Sequence, residues 1–233
     1  IKNGQPDGKT VLVGTFHFLD FYRSVCTTLN PPDWSNTLIQ GTFMASGAPD
    51  FSKMPDACDK LELSRFTGNS LKEIKTRFQA LSLIRPFVRH LTLTDLPAGC
   101  HTLELHLMRS PLPHLKTPAL ENLIWSCSEI SPTDVLDFSK TEHAVFKYSS
   151  INNKTAVKWP NTLRIQESDI KTADFSQTKD LSLTYTSLLS SFIHFPKQGD
   201  VMADKSFFGK DQTIDFSSCR KADLINCNME TSA

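Results

Sequence analysis

Residues Leu163–Ile170 read LRIQESDI, and residues Leu181–Leu188 read LSLTYTSL. Both fit one eight-residue frame: apolar, any, apolar, two of any kind, small or polar, any, apolar. Working outward from this pair, further copies begin at Ala144, Leu123 and Leu105 on one side and at Val201 and Ala222 on the other. The successive starts from Leu105 are 18, 21, 19, 18, 20 and 21 residues apart. A fixed period in this range is the signature of a solenoid. Apolar residues at the first and third positions point to one side of a short strand. One such strand cannot bury that side alone, whereas a stack of them can.

The sixth position holds Ser110, Ser128, Ser149, Ser168, Thr186, Ser206 and Cys227. A short hydroxyl or thiol where the chain leaves the strand can bond backbone groups of neighbouring turns, so that fewer buried polar groups stay unpaired. The frame resembles the leucine-rich repeat, whose core reads LxLxxNxL, over at least half of the chain. No copy has Asn at the sixth position, so the likeness is one of register. Leu96 to Leu115 (LPAGCHTLELHLMRSPLPHL) resembles the short bacterial form of that repeat over one copy. The resemblance implies an α/β repeat solenoid: a stack of short parallel strands with irregular or short helical returns and an N-terminal cap.

Asp-Phe-Ser occurs at Asp137, Asp174 and Asp215, each seven residues before a frame begins. Phe138, Phe175 and Phe216 are expected to pack inward from the returning side, with the serine closing a local turn. A fourth Asp-Phe-Ser at Asp50 stands eleven residues before Leu61, which marks an insertion or a different register there. Reading the aspartates as a metal site fails for want of accompanying ligands on long intervening turns.

Thr10 to Phe16 (TVLVGTF) reads as a strand, and Phe18, Phe21, Tyr22, Val25 and Leu29 carry helical spacing up to Pro31-Pro32. Strand and helix form the expected cap over 1–36, with the solenoid over 37–233. Within the solenoid, Leu38/Gln40, Leu61/Leu63 and Leu81/Leu83 are candidate strand pairs, His90 to Leu96 is another candidate, and Ser70 to Phe78 is an expected helix. Lys221 to Met229 (KADLINCNM) resembles a single pentapeptide repeat, but the solenoid frame already accounts for it.

The 233 residues balance 25 basic against 25 acidic side chains. That balance argues against a nucleic-acid partner bound by phosphate neutralisation, and against a polybasic membrane patch. No apolar run reaches the ~20 residues that span a bilayer. The opening Ile1 points to a leader or upstream segment trimmed away, and the resemblance to the bacterial repeat implies a secreted or cell-surface protein. The six cysteines form no CxxC pair, and mostly free thiols are expected.

No phosphate loop, HExxH or GxSxG is present, and the seven histidines have no ligand spacing. Cys58-Asp59 is the one cysteine beside an acid that invites comparison with bacterial repeat-linked ubiquitin ligases, but the chain leaves no room for their catalytic domain. No cofactor or metal is expected. The leucine-rich resemblance implies that the second, fourth and fifth frame positions face outward on a concave strip. The expected ligand-binding residues there are His106, Arg109, Lys147, Tyr148, Arg164, Gln166, Glu167, Thr184, Tyr185, Asp204 and Lys205. Tyr, Arg and mixed charge suit a protein or glycan ligand. The function expected is a non-enzymatic binding module. Its alternatives are a spacer or adhesin segment, and a parallel β-helix enzyme acting on carbohydrate, for which Lys147, Arg164, Glu167 and Lys205 are the nearest cluster.

Overall fold

Alternating burial along each frame is what the strands satisfy. The structure is a computed structural model, and it describes residues 11–19, 33–67, 71–86, 93, 96–97, 99–108, 115–130, 135–153, 157–189, 193–209 and 214–229. The chain divides into two compact units, Ile1–His106 and Leu107–Ala233. Each unit is built as a parallel β-solenoid.

In the first unit the sheet runs β1 (Val11–Leu19), β2 (Leu38–Ser46), β3 (Ala57–Ser64), β4 (Ala80–Ile84) and β5 (Thr102–His106), all parallel and in sequence order. In the second unit the sheet runs β6 (Leu120–Ser126), β7 (Thr141–Lys147), β8 (Thr162–Gln166), β9 (Asp180–Thr184), β10 (Asp200–Asp204) and β11 (Lys221–Ile225). Leu163 pairs with Leu181, Leu181 with Val201, and Val201 with Ala222, so equal frame positions stack.

The returning sides of the second unit are also strands. A second parallel sheet joins Glu129–Ile130, Ser150–Asn153, Asp169–Asp174, Ser187–Leu188, Phe207–Phe208 and Asn228–Met229. A third joins Leu115–Lys116, Leu136–Asp137 and Val157–Lys158. The eighth frame position falls on the second sheet, where Ile130, Ile151, Ile170, Leu188 and Phe208 are buried.

The helical returns implied by the resemblance are a point of correction. Among the described residues the single helical element is a 3-10 turn at Phe51–Lys53. Within the expected helix at Ser70–Phe78, residues 71–73 form a bend and turn, 74–78 are not helical, and Arg77 bridges Ala57 as a strand residue would. Leu71, Ile74 and Phe78 are buried together as their spacing required. A corner followed by an extended segment meets that spacing as well as a helix does. β1 forms over the expected strand and continues through Phe18 and Leu19, while residues 20–32 of the expected cap helix lie outside the described residues. The His90–Leu96 strand candidate also falls almost wholly outside them.

Two corners explain the frame. At the fifth position the chain turns through the left-handed region: Arg65, Arg85, Leu107, Cys127, Tyr148, Glu167, Tyr185, Lys205 and Asn226 have φ between 47° and 57°. That conformation costs a non-glycine residue ~1–2 kcal/mol. Backbone bonds between coils offset it: the Tyr148 amide donates to the Gln166 carbonyl at 3.1 Å, Glu167 to Thr184 at 2.9 Å, and Tyr185 to Asp204 at 3.1 Å. The sixth-position hydroxyl completes the corner. Ser168 Oγ donates to the Gln166 carbonyl at 2.7 Å and accepts from the Ser149 amide of the preceding coil at 3.0 Å. Ser128 does the same with Ser126 and Met108, and Ser206 with Asp204 and Thr186. The expectation for this position holds at Ser128, Ser149, Ser168, Thr186 and Ser206, while in the first copy the residue after the corner is Met108, not Ser110.

The other corner is the Asp-Phe-Ser turn. Asp137, Asp174 and Asp215 each accept a hydrogen bond through Oδ1 from the amide of the serine two residues on, at 3.1, 2.9 and 2.8 Å. Phe138 and Phe175 are buried, and Phe216 is half-buried. Trp159 takes the same inward place in the coil between Asp137 and Asp174, with ring centroids 6.4 Å from Phe138 and 5.2 Å from Phe175. Asp50 makes the same bond to Ser52 at 3.0 Å, capping the 3-10 turn. Its longer offset is explained by β3, which begins at Ala57, ahead of Leu61.

One copy of the frame is corrected in register. Leu103 and Leu105 are the buried pair of β5, and Leu107 occupies the left-handed corner. The copy therefore begins at Leu103, not Leu105. Three leucines at alternate positions left the start ambiguous by two residues, a slip that keeps the same face inward. In β2 the buried pair is likewise Phe43/Ala45, not Leu38/Gln40.

The five described cysteines, Cys58, Cys100, Cys127, Cys219 and Cys227, are free thiols.

Candidate functional site

The second unit gathers most of the residues expected to bind a ligand. Lys147, Gln166, Thr184 and Asp204 are paired in one row across β7, β8, β9 and β10. Arg164 stands in the adjoining row between Val145 and Ser182, exposed on the same face because side chains two apart share a side. Tyr148, Glu167, Tyr185 and Lys205 are not on the strands. They occupy the left-handed corner at the edge of that face, which corrects their placement on a strand surface. The corner geometry swings each side chain outward: Tyr148 is 56% and Tyr185 54% exposed.

These corner side chains are tied to one another. The Tyr148 hydroxyl donates to the Glu167 carboxylate, which pushes the phenol above its ordinary pKa. Lys205 Nζ donates to the Tyr185 hydroxyl at 2.9 Å and lies 5.1 Å from the ring centroid. An open groove of about 450 Å³ is lined by Glu167, Ser168, Asp169 and Tyr185. The result is a row of two exposed tyrosines, a carboxylate and an ammonium on four consecutive coils, with Arg164 and Lys147 on the adjacent sheet face. Arg109 lies outside the described residues.

His106 belongs to the first unit, at the end of β5. Its Nε2 is 3.3 Å from Glu104 Oε2, and Lys60 Nζ donates to the same oxygen at 2.6 Å. The His106 hydrogen bond, followed by that of Lys60, brings Glu104 down to about 2 from an ordinary 4.5. A carboxyl depressed on folding stabilises the native state most above its unfolded pKa. This contribution is therefore complete above pH 4.5 and fades as the pH falls through about 2.

The first unit also holds a cleft of about 520 Å³ that no sequence motif marks. It is lined by residues of four consecutive coils: Leu38 to Gln40, Ala57 to Asp59, Arg77 to Gln79, and Gly99 with His101. In each coil the middle residue (Ile39, Cys58, Phe78 or Cys100) is buried and its neighbours face out. The signal in the sequence is this out-in-out triplet, at LIQ, ACD, RFQ and GCH, which precedes the frame and is not part of it. The β2–β3 register slips here, between Ile39 and Thr42. Bulges of this kind commonly re-aim side chains beside functional sites.

Cys58 sits in the floor of this cleft. Burial, reinforced by the Asp59 charge, raises its thiol to about 12. At neutral pH it is protonated, whereas the nucleophile and metal ligand is the thiolate. Cys100 is raised to about 11 by burial. Among the described residues no group of three or more His, Cys, Asp or Glu is placed to hold a metal ion, and no helix is long and apolar enough to cross a membrane.

No family model matches the chain, and neither a curated protein nor a solved structure matches it.

Proposed function

We propose that this chain is a non-enzymatic binding module, of a secreted or cell-surface protein, that recognises a protein ligand through the exposed face and corner of its second unit. The leucine-rich resemblance of the frame supports the same reading. The observation that carries it is the corner row itself. Tyr148 and Tyr185 expose more than half of their surface, yet Glu167 and Lys205 hold their hydroxyls. Large amphipathic side chains already held in place lose little entropy on binding, which is why tyrosine and arginine dominate energetic hot spots. Arg164 beside them supplies a planar donor for carboxylate or carbonyl groups.

The test is a binding screen of the purified chain on arrays of extracellular proteins and glycans. A second arm carries Tyr148→Ala, Arg164→Glu and Tyr185→Ala together. All three side chains point outward, so circular dichroism should be unchanged. Each hot-spot truncation costs ~1–3 kcal/mol, so a ligand of the native chain should bind the triple variant at least tenfold more weakly. A ligand held equally by both proteins would remove the function from this face.

A further inference from the structure

We infer that the cleft of the first unit is a second binding site, one that takes a neutral, hydroxyl-rich chain such as a linear oligosaccharide. The argument starts from register. Leu38 pairs with Ala57, Ala57 bridges Arg77, the Gln79 amide donates to the Asp59 carbonyl, and the His101 amide donates to the Gln79 carbonyl. Those bonds stack outward side chains into two parallel columns: Leu38, Ala57 and Arg77 in one, and Asp59, Gln79 and His101 in the other. Gly99 and Gln40 complete the lining, Gln40 from the register slip between Ile39 and Thr42.

The first column and Gly99 make the hollow. Ala57 is small between Leu38 and Arg77, and a Cβ added at Gly99 would meet nothing within 4 Å. The second column and Gln40 line it with polar groups, one from each coil. With coils about 4.8 Å apart, the four polar groups span roughly 14 Å. A volume of about 520 Å³ lies within the range of small-ligand sites.

Charge and bonding capacity select the ligand class. Asp59 and Arg77 form no ion pair among the described residues. With one carboxylate and one guanidinium on adjoining coils, an anionic chain meets Asp59 and a cationic one meets Arg77. The two glutamines each donate and accept, the carboxylate only accepts and the guanidinium only donates. That mixture suits hydroxyl groups, which do both. An added peptide strand is disfavoured for a separate reason. The cleft lies over coils whose backbones are already bonded to one another, so no free edge between them is offered for strand addition. The exposed Leu38 side chain supplies an apolar flank on which the carbon face of a sugar ring can rest.

The experiment uses the full chain with neutral linear hexasaccharides of glucose, both α-1,4 and β-1,4 linked, and of N-acetylglucosamine. A uronate hexasaccharide and a short single-stranded DNA serve as charged probes. Binding is read by calorimetry and saturation-transfer NMR. At least one neutral hexasaccharide should bind with a Kd below about 1 mM. Ala57→Trp, which fills the hollow from an outward position, and Gln79→Ala should each weaken it at least tenfold without changing the melting temperature appreciably. The triple variant in the second unit should bind it as the native chain does. The inference is overturned if no neutral probe binds, if a charged probe is preferred, or if Ala57→Trp and Gln79→Ala both bind like the native chain. A variant that melts early is replaced by Asp59→Asn, which keeps the shape but removes the charge and turns one acceptor oxygen into a donor, and the same tenfold criterion applies.

Discussion

Phe146→Ala is expected to lower the free energy of unfolding by ~3–5 kcal/mol, the cost of deleting a fully buried aromatic ring. Phe146 is at the third frame position of β7 and has no exposed surface. Its ring centroid is 5.7 Å from Trp125, stacked at 25°, 5.8 Å from Phe138 and 5.3 Å from Trp159. Trp125 and Phe146 come from neighbouring main-sheet strands, and Phe138 and Trp159 from the opposite corners of their coils. One substitution therefore opens a cavity against three partners at once, and pairs of rings contribute ~0.5–1.5 kcal/mol beyond burial alone. A solenoid shares its stability between nearest neighbours, so the damage concentrates in coils that have no other core to fall back on. Urea unfolding followed by far-UV circular dichroism and tryptophan fluorescence measures it. A loss below ~1 kcal/mol would mean that this ring cluster is not the core of the unit.

Gly41→Ala is the second large effect, and it arises from backbone contact. Gly41 has φ +135° and is paired with Gly14, which has φ 134°. An added Cβ would lie 2.1 Å from the Gly14 carbonyl oxygen and 2.9 Å from its carbon. A backbone carbonyl cannot rotate away as a side chain can, so β1 and β2 must separate or both residues must change conformation. The expected cost is ~3 kcal/mol or more, combining overpacking with an unfavourable φ. Gly99→Ala is the matched control. Its φ is also positive, at +100°, but its Cβ position is open, so only the conformational part remains, ~1–3 kcal/mol. Melting curves of the two variants separate the contributions. Equal shifts would show that the close approach of Gly14 to Gly41 is not a feature of the folded protein.

The strand stack was legible because its signal is additive. Apolar pairs such as Leu163/Ile165 and Leu181/Leu183, repeated at nearly constant spacing, can be buried together in one way only. The sixth-position serines and the Asp-Phe-Ser turns were legible for a related reason. Their side chains bond the backbone locally, so their place in the coil is fixed by chemistry that a single residue carries.

The fifth-position corner was not legible. A left-handed residue is ordinarily announced by Gly or Asn. Here Asn226 is the one Asn, and the place is otherwise held by Tyr, Glu, Lys, Arg, Leu and Cys. Those residues tolerate the conformation because the amide of each is bonded to the next coil. That tertiary cause is invisible in an isolated segment, so from sequence Tyr148 and Tyr185 read as strand-surface residues. The Ser70–Phe78 segment is ambiguous for a similar reason: Leu71, Ile74 and Phe78 are buried, and that spacing does not distinguish a helix from a corner plus an extended run. The cleft of the first unit was missed because Gln40, Asp59, Gln79 and His101 converge only after the coils are stacked. They are far apart in sequence, belong to no known motif, and precede the frame.

The claim on which everything else rests is that one frame is one coil, with equal frame positions stacked in parallel. Methyl and backbone NOE measurements on the labelled chain test it most directly. The predicted result is a continuous series of methyl contacts through Leu163, Leu181 and Val201, a second through Ile165, Leu183 and Ala203, and parallel inter-strand contacts joining Arg164 to Ser182 and Ser182 to Met202. Antiparallel inter-strand contacts, or contacts joining Leu163 to residues outside the first frame position, would contradict the account.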